Sequence, residues 1–188
     1  MNLPEEIDIP SLQQRVGLQR DEQAYKFLFL YFHPHLLRFA FSMVKNEDAA
    51  EEIVSDVMMR LWSARERLVE IENLKVYLFT SVKNTALNYL SRNAKYTSWD
   101  LEYIEIELDM NLYNPEEAML QKELISTITS AIKELPPKCQ MAYKLVREDG
   151  FSYKEVASIM GISENTVDRH INTALHKLTN AVRLYVQQ

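Results

Sequence analysis

The sequence predicts an all-α protein. Two small helical domains, an N-terminal helical bundle and a C-terminal helix-turn-helix, are joined by an acidic linker. Three observations predict this. Apolar residues recur at spacings of three and four in window after window. Only three glycines occur in 188 residues, too few for a fold built on glycine hairpins. Charge is partitioned as well. Residues 73–95 hold four basic and no acidic side chains, residues 96–118 hold seven acidic and no basic ones, and residues 122–188 hold nine basic and seven acidic ones. Three regions with different jobs are the natural reading.

Residues 1–21 read as a flexible lead-in. Residues 22–45 read as a helix with Phe27, Leu30, Tyr31, Leu37 and Phe41 among its apolar positions, and Pro34 is expected to kink or divide it. Residues 47–67 read as a second helix. Ile53, Val57 and Leu61 recur every four residues beside Val54, Met58 and Trp62, and acids at its start with arginines at its end suit the helix dipole. Asn73 is the natural N-cap of a third helix over 73–91, with Leu74, Leu78 and Val82 as its apolar seam. Residues 96–118 break the periodicity and read as a linker, with a strand as the lesser alternative for the alternating YIEIELDM. Leu120, Leu124, Ile128, Ile132 and Leu135 restore helical spacing over 116–135. Pro136-Pro137 stops that helix, and Pro137 suits the first position of the next. Asp149-Gly150 is a turn signal. The predicted domains are therefore 22–95 and 119–188.

Hydrophobic residues at 47% and charged residues at 26% are ordinary for a water-soluble globular chain. The start, MNLPEEIDIP, has no apolar run of a signal peptide, and no stretch approaches eighteen consecutive apolar residues, so no membrane insertion and a cytoplasmic location are expected. The one cysteine, Cys139, cannot pair within the chain, which fits a reducing compartment. Enzyme readings are poor. His33 and His35 flank a proline, His170 and His176 lack the spacing of a zinc-protease site, and no glycine loop for phosphate exists. No catalytic residue, metal or cofactor is expected.

The stretch SYKEVASIMGISENTVDRHI, residues 152–171, holds the densest local signals. Ser152 with Glu155 forms a capping box. Val156, Ala157 and Met160 give a short helix its buried side. Gly161 stands where a left-handed residue ends a helix cheaply, Ile162 plugs the corner, and Ser163 caps a second helix with the seam Val167, Ile171, Leu175, Leu178 and Val182. Two helices across so short a turn make a helix-turn-helix, whose second helix enters the major groove. Asn165, Thr166, Asp168, Arg169, His170, Asn172 and Thr173 lie off the seam. Asparagine pairs with adenine, arginine with guanine, and threonine meets the thymine methyl. Lys177 and His176 are candidates for phosphate. An ordinary αα-hairpin with a solvated face stands as the alternative. The small basic excess of 122–188 predicts weak DNA binding in isolation.

Three segments carry a family resemblance. DAAEEIVSDVMMRLW (48–62), NLKVYLFTSVKNTALNYLSRNAK (73–95) and ELPPKCQMAYKLVREDGFSYKEVASIMGISENTVDRHINTALHKL (134–178), in this order, resemble a bacterial RNA polymerase sigma factor of the extracytoplasmic function (ECF) group, over roughly residues 22–185. The resemblance implies a protein that is not an enzyme, with core RNA polymerase and promoter DNA as partners and an anti-sigma factor as a further one. It implies polymerase binding by Asp48, Glu51, Glu52, Asp56, Arg60 and Trp62, although Trp62 also reads as core. It implies −10 binding by Lys83, Asn84, Asn88, Tyr89, Arg92, Asn93 and Lys95, with Tyr96 and Trp99 as stacking candidates. It implies −35 binding by Ser163, Asn165, Thr166, Arg169, His170, Thr173 and Lys177. The family's −10 specificity loop falls at about 66–75 or 91–99. The acidic linker would thread toward the polymerase active-site and RNA-exit channel. A stand-alone helix-turn-helix regulator is the alternative, and a helical adaptor that binds only protein is a third reading.

Overall fold

The computed structural model describes residues 8–93 and 120–187, all of the regular structure in them helical. The chain forms two compact units, Met1–Thr97 and Ser98–Gln188. The linker lies outside the described residues, as do Lys95, Tyr96 and Trp99.

The first unit contains α1 (Ile9–Gln19), α2 (Glu22–Val44), α3 (Glu47–Ala64), a 3-10 turn (Arg65–Glu70) and α4 (Leu74–Asn93). Residues 9–19 are thus a packed helix and not a flexible lead-in. Asp8 caps it by accepting from the Ser11 N–H, and Pro10 sits in its first turn, where no N–H is needed. Its buried positions are Gln13, Val16 and Gly17. Only one of these is a large apolar residue, so hydrophobic periodicity does not reveal the helix. Asp21 caps α2 through the Gln23 and Ala24 N–H groups and pairs with Arg15.

Pro34 does not divide α2. The helix runs unbroken from Glu22 to Val44, with Leu28, Phe32, Leu36, Phe39 and Met43 buried along its length. The proline ring lies on the exposed side, so the core side of both halves is held by packing. The buried seam is offset from the expected one. Phe27, Tyr31, Leu37 and Phe41 are half-buried and Leu30 is exposed. α2 is apolar on most of its circumference, and spacing alone selects no face. α2 is also long and apolar enough to cross a membrane by length and composition, but its Leu28, Phe32, Leu36 and Phe39 side chains are buried inside the unit.

In α3 and α4 the expected seams hold. Ile53, Val54, Val57, Met58 and Leu61 of α3 and Leu74, Leu78 and Val82 of α4 are buried, joined by Phe79 and Ala86. Asn73 caps α4 through the Val76 N–H. The Tyr25 hydroxyl donates to the Met58 carbonyl at 3.0 Å, tying α2 to α3.

The second unit contains α5 (Leu120–Lys133), α6 (Pro137–Arg147), α7 (Tyr153–Met160) and α8 (Glu164–Val186). α8 packs against the other three. Ile132, Met141, Leu145, Ile159, Val167 and Ile171 form the centre of its core. Gln140 is buried because its amide donates to the carbonyls of Lys133 and Leu135, closing the end of α5. Leu175 is 37% exposed, and Ala174 takes its place in the seam. The small side chain lets α8 approach its neighbours at that turn.

Candidate nucleic-acid interface

The turn that presents α8 is built by local chemistry. Ser152 Oγ accepts from the Glu155 N–H and the Glu155 carboxylate accepts from the Ser152 N–H, so both halves of the capping box are made. Gly161 ends α7 at φ +69°, and the Ile162 N–H returns to the Ala157 carbonyl at 3.0 Å. Ser163 then caps α8 by accepting from the Thr166 N–H, and its hydroxyl bonds that of Thr166 at 2.8 Å. Ser163 and Thr166 are therefore first of all the fixings of the helix start.

Past this cap one face of α8 is polar and exposed. Asn165, Asp168, Arg169, Asn172, Thr173 and His176 stand at successive spacings of three, one, three, one and three, a single stripe on a helix. Val167, Ile171 and Ala174 are buried on the opposite side. Asn172 donates to Asp168 at 3.0 Å, which gives the acid a neutral partner within the stripe. The Thr173 hydroxyl donates to the Arg169 carbonyl, so its methyl group and the lone pairs of its oxygen are left to meet a ligand.

Two residues expected on this face are turned elsewhere. Lys177 donates to the Glu134 carbonyl at 2.7 Å and pairs with the Glu134 carboxylate at 3.3 Å, closing the turn after α5. His170 points inward. Its Nδ1 lies 3.2 Å from Cys139 Sγ on α6. Burial pushes the Cys139 thiol up, and thiol and ring share this one hydrogen bond. The other ring nitrogen, Nε2, is buried with no partner among the described residues.

Burial first, then the charge of Lys138, holds the His170 imidazole below its usual value. The folded unit disfavours the proton that the unfolded chain accepts near the ordinary histidine value of about 6.5. This contribution to stability is full above that pH and is lost as pH falls through the folded value. The urea midpoint of this unit is expected to drop between pH 7 and 5, and His170→Gln is expected to flatten the drop. An unchanged pH profile in the variant would show that the ring titrates as it does in the unfolded chain.

In the first unit, α3 and α4 enclose an open cleft of about 640 Å³. Glu52, Asp56, Met59, Arg60 and Ser63 line it from α3, and Thr85, Asn88, Tyr89 and Arg92 from α4. Three residues of the expected polymerase-binding set, Glu52, Asp56 and Arg60, therefore meet three of the expected −10 set, Asn88, Tyr89 and Arg92, at one place. Arg60 spans it, donating to the Thr85 hydroxyl at 2.6 Å. The Asn88 Oδ1 is buried and has no hydrogen-bond partner among the described residues. The cleft thus offers two guanidinium groups and a half-buried phenol ring, groups that hold single-stranded nucleic acid, beside the carboxylates of Glu52 and Asp56.

The other expected residues divide by face. Asp48, Glu52 and Asp56 are exposed on the outward side of α3 with Met59, which is 66% exposed. Met59 and Thr85 were not foreseen. An apolar residue on an otherwise polar helix face is the signal for Met59, and no sequence signal marks Thr85. Glu51 and Trp62 face α2. Glu51 bonds His33 at 3.1 Å, and the half-buried Trp62 ring packs 4.9 Å from Tyr25. On α4, Asn84 and Arg92 are exposed and Asn93 closes the helix. Lys83 is only 8% exposed, and burial lowers its ammonium pKa. Its position one residue after Val82 of the seam carries its stem into the unit, so it does not belong to an open DNA-facing surface.

Comparison with known proteins gives one family twice. The model of Sigma-70 region 2 matches residues 28–96, and that of Sigma-70 region 4 matches residues 125–178. The ECF RNA polymerase sigma-E factor of Escherichia coli (strain K12) is 26% identical over 175 residues, covering 89% of this chain and 91% of that protein. The RNA polymerase sigma-H factor of Pseudomonas aeruginosa is 24% identical over 170 residues, covering 87% and 88%. Among solved structures, the sigma factor RpoE of Bartonella quintana, in complex with the anti-sigma factor NepR, shares the fold with a TM-score of 0.61. It is 23% identical, covering 85% of this chain and 96% of that one.

Proposed function

This chain belongs to the ECF group of RNA polymerase sigma factors, and from that premise we propose which of its surfaces bind core polymerase and which read promoter DNA. The outward face of α3, with Asp48, Glu52 and Asp56 around the apolar Met59, binds core polymerase. The cleft side of α4, with Asn88, Tyr89 and Arg92, and the exposed Asn84 one turn before Asn88 hold the opened strand at the −10 element. The exposed stripe of α8, with Asn165, Arg169 and Thr173, reads the −35 element in the major groove. Residues 8–93 thus serve as the polymerase and −10 domain, and residues 120–187 as the −35 domain. The role is non-enzymatic and is exercised in the cytoplasm, with an anti-sigma factor as the partner that masks these faces.

The observation that carries this reading is the α8 stripe. A helix held by two caps and a left-handed glycine presents polar side chains on one continuous face, with an apolar seam opposite. That is the requirement for base readout from a helix-turn-helix. Few basic groups surround it, so the domain needs polymerase to hold it on DNA.

The direct test is gel filtration of the chain with sigma-free core polymerase, followed by selection from a library of promoter-like DNA. Co-elution and new sequence-selective binding are expected. DNA binding by the free chain without co-elution would favour the stand-alone regulator, and neither activity would favour a protein-only adaptor. Arg169→Ala is expected to lower −35-dependent transcription about tenfold or more, from the roughly 1–3 kcal/mol of one base contact, with core binding unchanged. Equal loss of core binding would refute the domain assignment.

A further inference from the structure

Gln13 is 7% exposed, and it is the one buried polar side chain of α1. Its amide nitrogen donates to the Leu68 carbonyl at 2.6 Å and to the Ile71 carbonyl at 2.7 Å. An amide NH2 has two hydrogens, and both go to one short turn that lies 55 and 58 positions away. That turn is the connector between α3 and α4. It is a 3-10 segment over Arg65–Glu70 with no side-chain cap at its start, closed by the Ile71 N–H on the Leu68 carbonyl at 3.3 Å. Such segments have poor internal hydrogen-bond geometry and few bonds of their own. The buried Val16 and Leu68 complete the packing of α1 against it. The connector is therefore fixed from outside, by a helix on neither side of it in the chain.

Glu66, Arg67, Glu70, Glu72 and Asn73 are exposed on this connector, between the proposed polymerase face of α3 and the proposed −10 face of α4. We propose that Gln13 is a positioning residue for promoter selectivity: it holds the 65–73 connector in one conformation, so that its exposed side chains meet the promoter beside α4 in one register. The inference rests on the −10 reading of the first unit. The physical warrant is that selective polar contacts need their side chains held to within a fraction of an ångström. A double donor buried against two carbonyls is a geometric constraint that an apolar contact cannot supply.

Gln13→Met tests it, because methionine has similar length and volume and no donor. Full-length wild type and variant are assembled with saturating core polymerase. Open-complex formation is then measured on promoters that share one −35 element and differ by single −10 bases. Gln13→Met is expected to lower the ratio of best to mismatched promoter about fivefold, the size of one lost hydrogen bond, with core affinity within about twofold of wild type. An equal loss on every promoter, with the ratio intact, would overturn the proposal and leave Gln13 a purely stabilising residue. Arg67→Ala and Asn84→Ala separate this from the reading beneath it. If Asn84→Ala shifts the ratios while Arg67→Ala and Gln13→Met do not, the −10 reading stands and the proposal fails. If none of the three shifts them, both fail.

Discussion

Glu148→Ala is expected to destabilise the helix-turn-helix unit by about 3–5 kcal/mol, enough to unfold much of a small domain. Lys144 and Glu148 form an ion pair one helical turn apart at the end of α6, with side chains only 3% and 4% exposed. Truncating the acid leaves an ammonium group in the interior without this counter-charge. The sign reverses when both charges go. Lys144→Met with Glu148→Leu is expected to be neutral or stabilising, because two desolvated ions are replaced by packing. Urea unfolding of the three proteins decides this. A loss below about 1 kcal/mol for Glu148→Ala would place the pair with ordinary surface salt bridges.

Phe79→Ala is expected to cost the first unit about 3–5 kcal/mol. The ring is 1% exposed and lies 5.0 Å from the fully buried ring of Phe39, joining α4 to α2. Alanine would leave a cavity under the start of the proposed −10 helix, and the stiff packed helices around it can collapse only in part. Phe79→Leu should lose less, since most of the volume is kept. The two units form separate compact bodies, so Phe79→Ala should move one unfolding transition and Glu148→Ala the other. A urea curve followed by far-UV circular dichroism, which reports on the helices of both units, that moves as a single step in both variants would contradict their independence.

These two sites differ in how far the sequence exposes them. Lys144 and Glu148 are at helical spacing and look like an ordinary surface pair; nothing local reveals that the end of α6 is covered. Phe79 is one residue past Leu78 in a readable seam. The same contrast runs through the candidate site. The α8 stripe was legible because its cap, turn and period are set by residues within one or two helical turns. His170 and Lys177 were misplaced because what turns them is distant. Cys139 is 31 positions from His170, and Glu134 is 43 from Lys177. Lys83 shows the same failure, because a basic residue at the edge of an apolar seam can swing either way.

The sequence by itself determined the local grammar: Asn73 as a cap, Pro137 at a helix start, the Ser152 and Glu155 box, and Gly161 as a left-handed stop. Each is an interaction over three or four residues, which neighbouring atoms decide. Only the tertiary structure decided which face of α2 is buried, that Pro34 leaves that helix whole, that residues 9–19 are a helix, and that Gln13 grips the connector. These depend on partners tens of residues away. For a helix apolar on most sides, or one whose buried positions include a glutamine and a glycine, only the arrangement of those partners fixes which contacts are made.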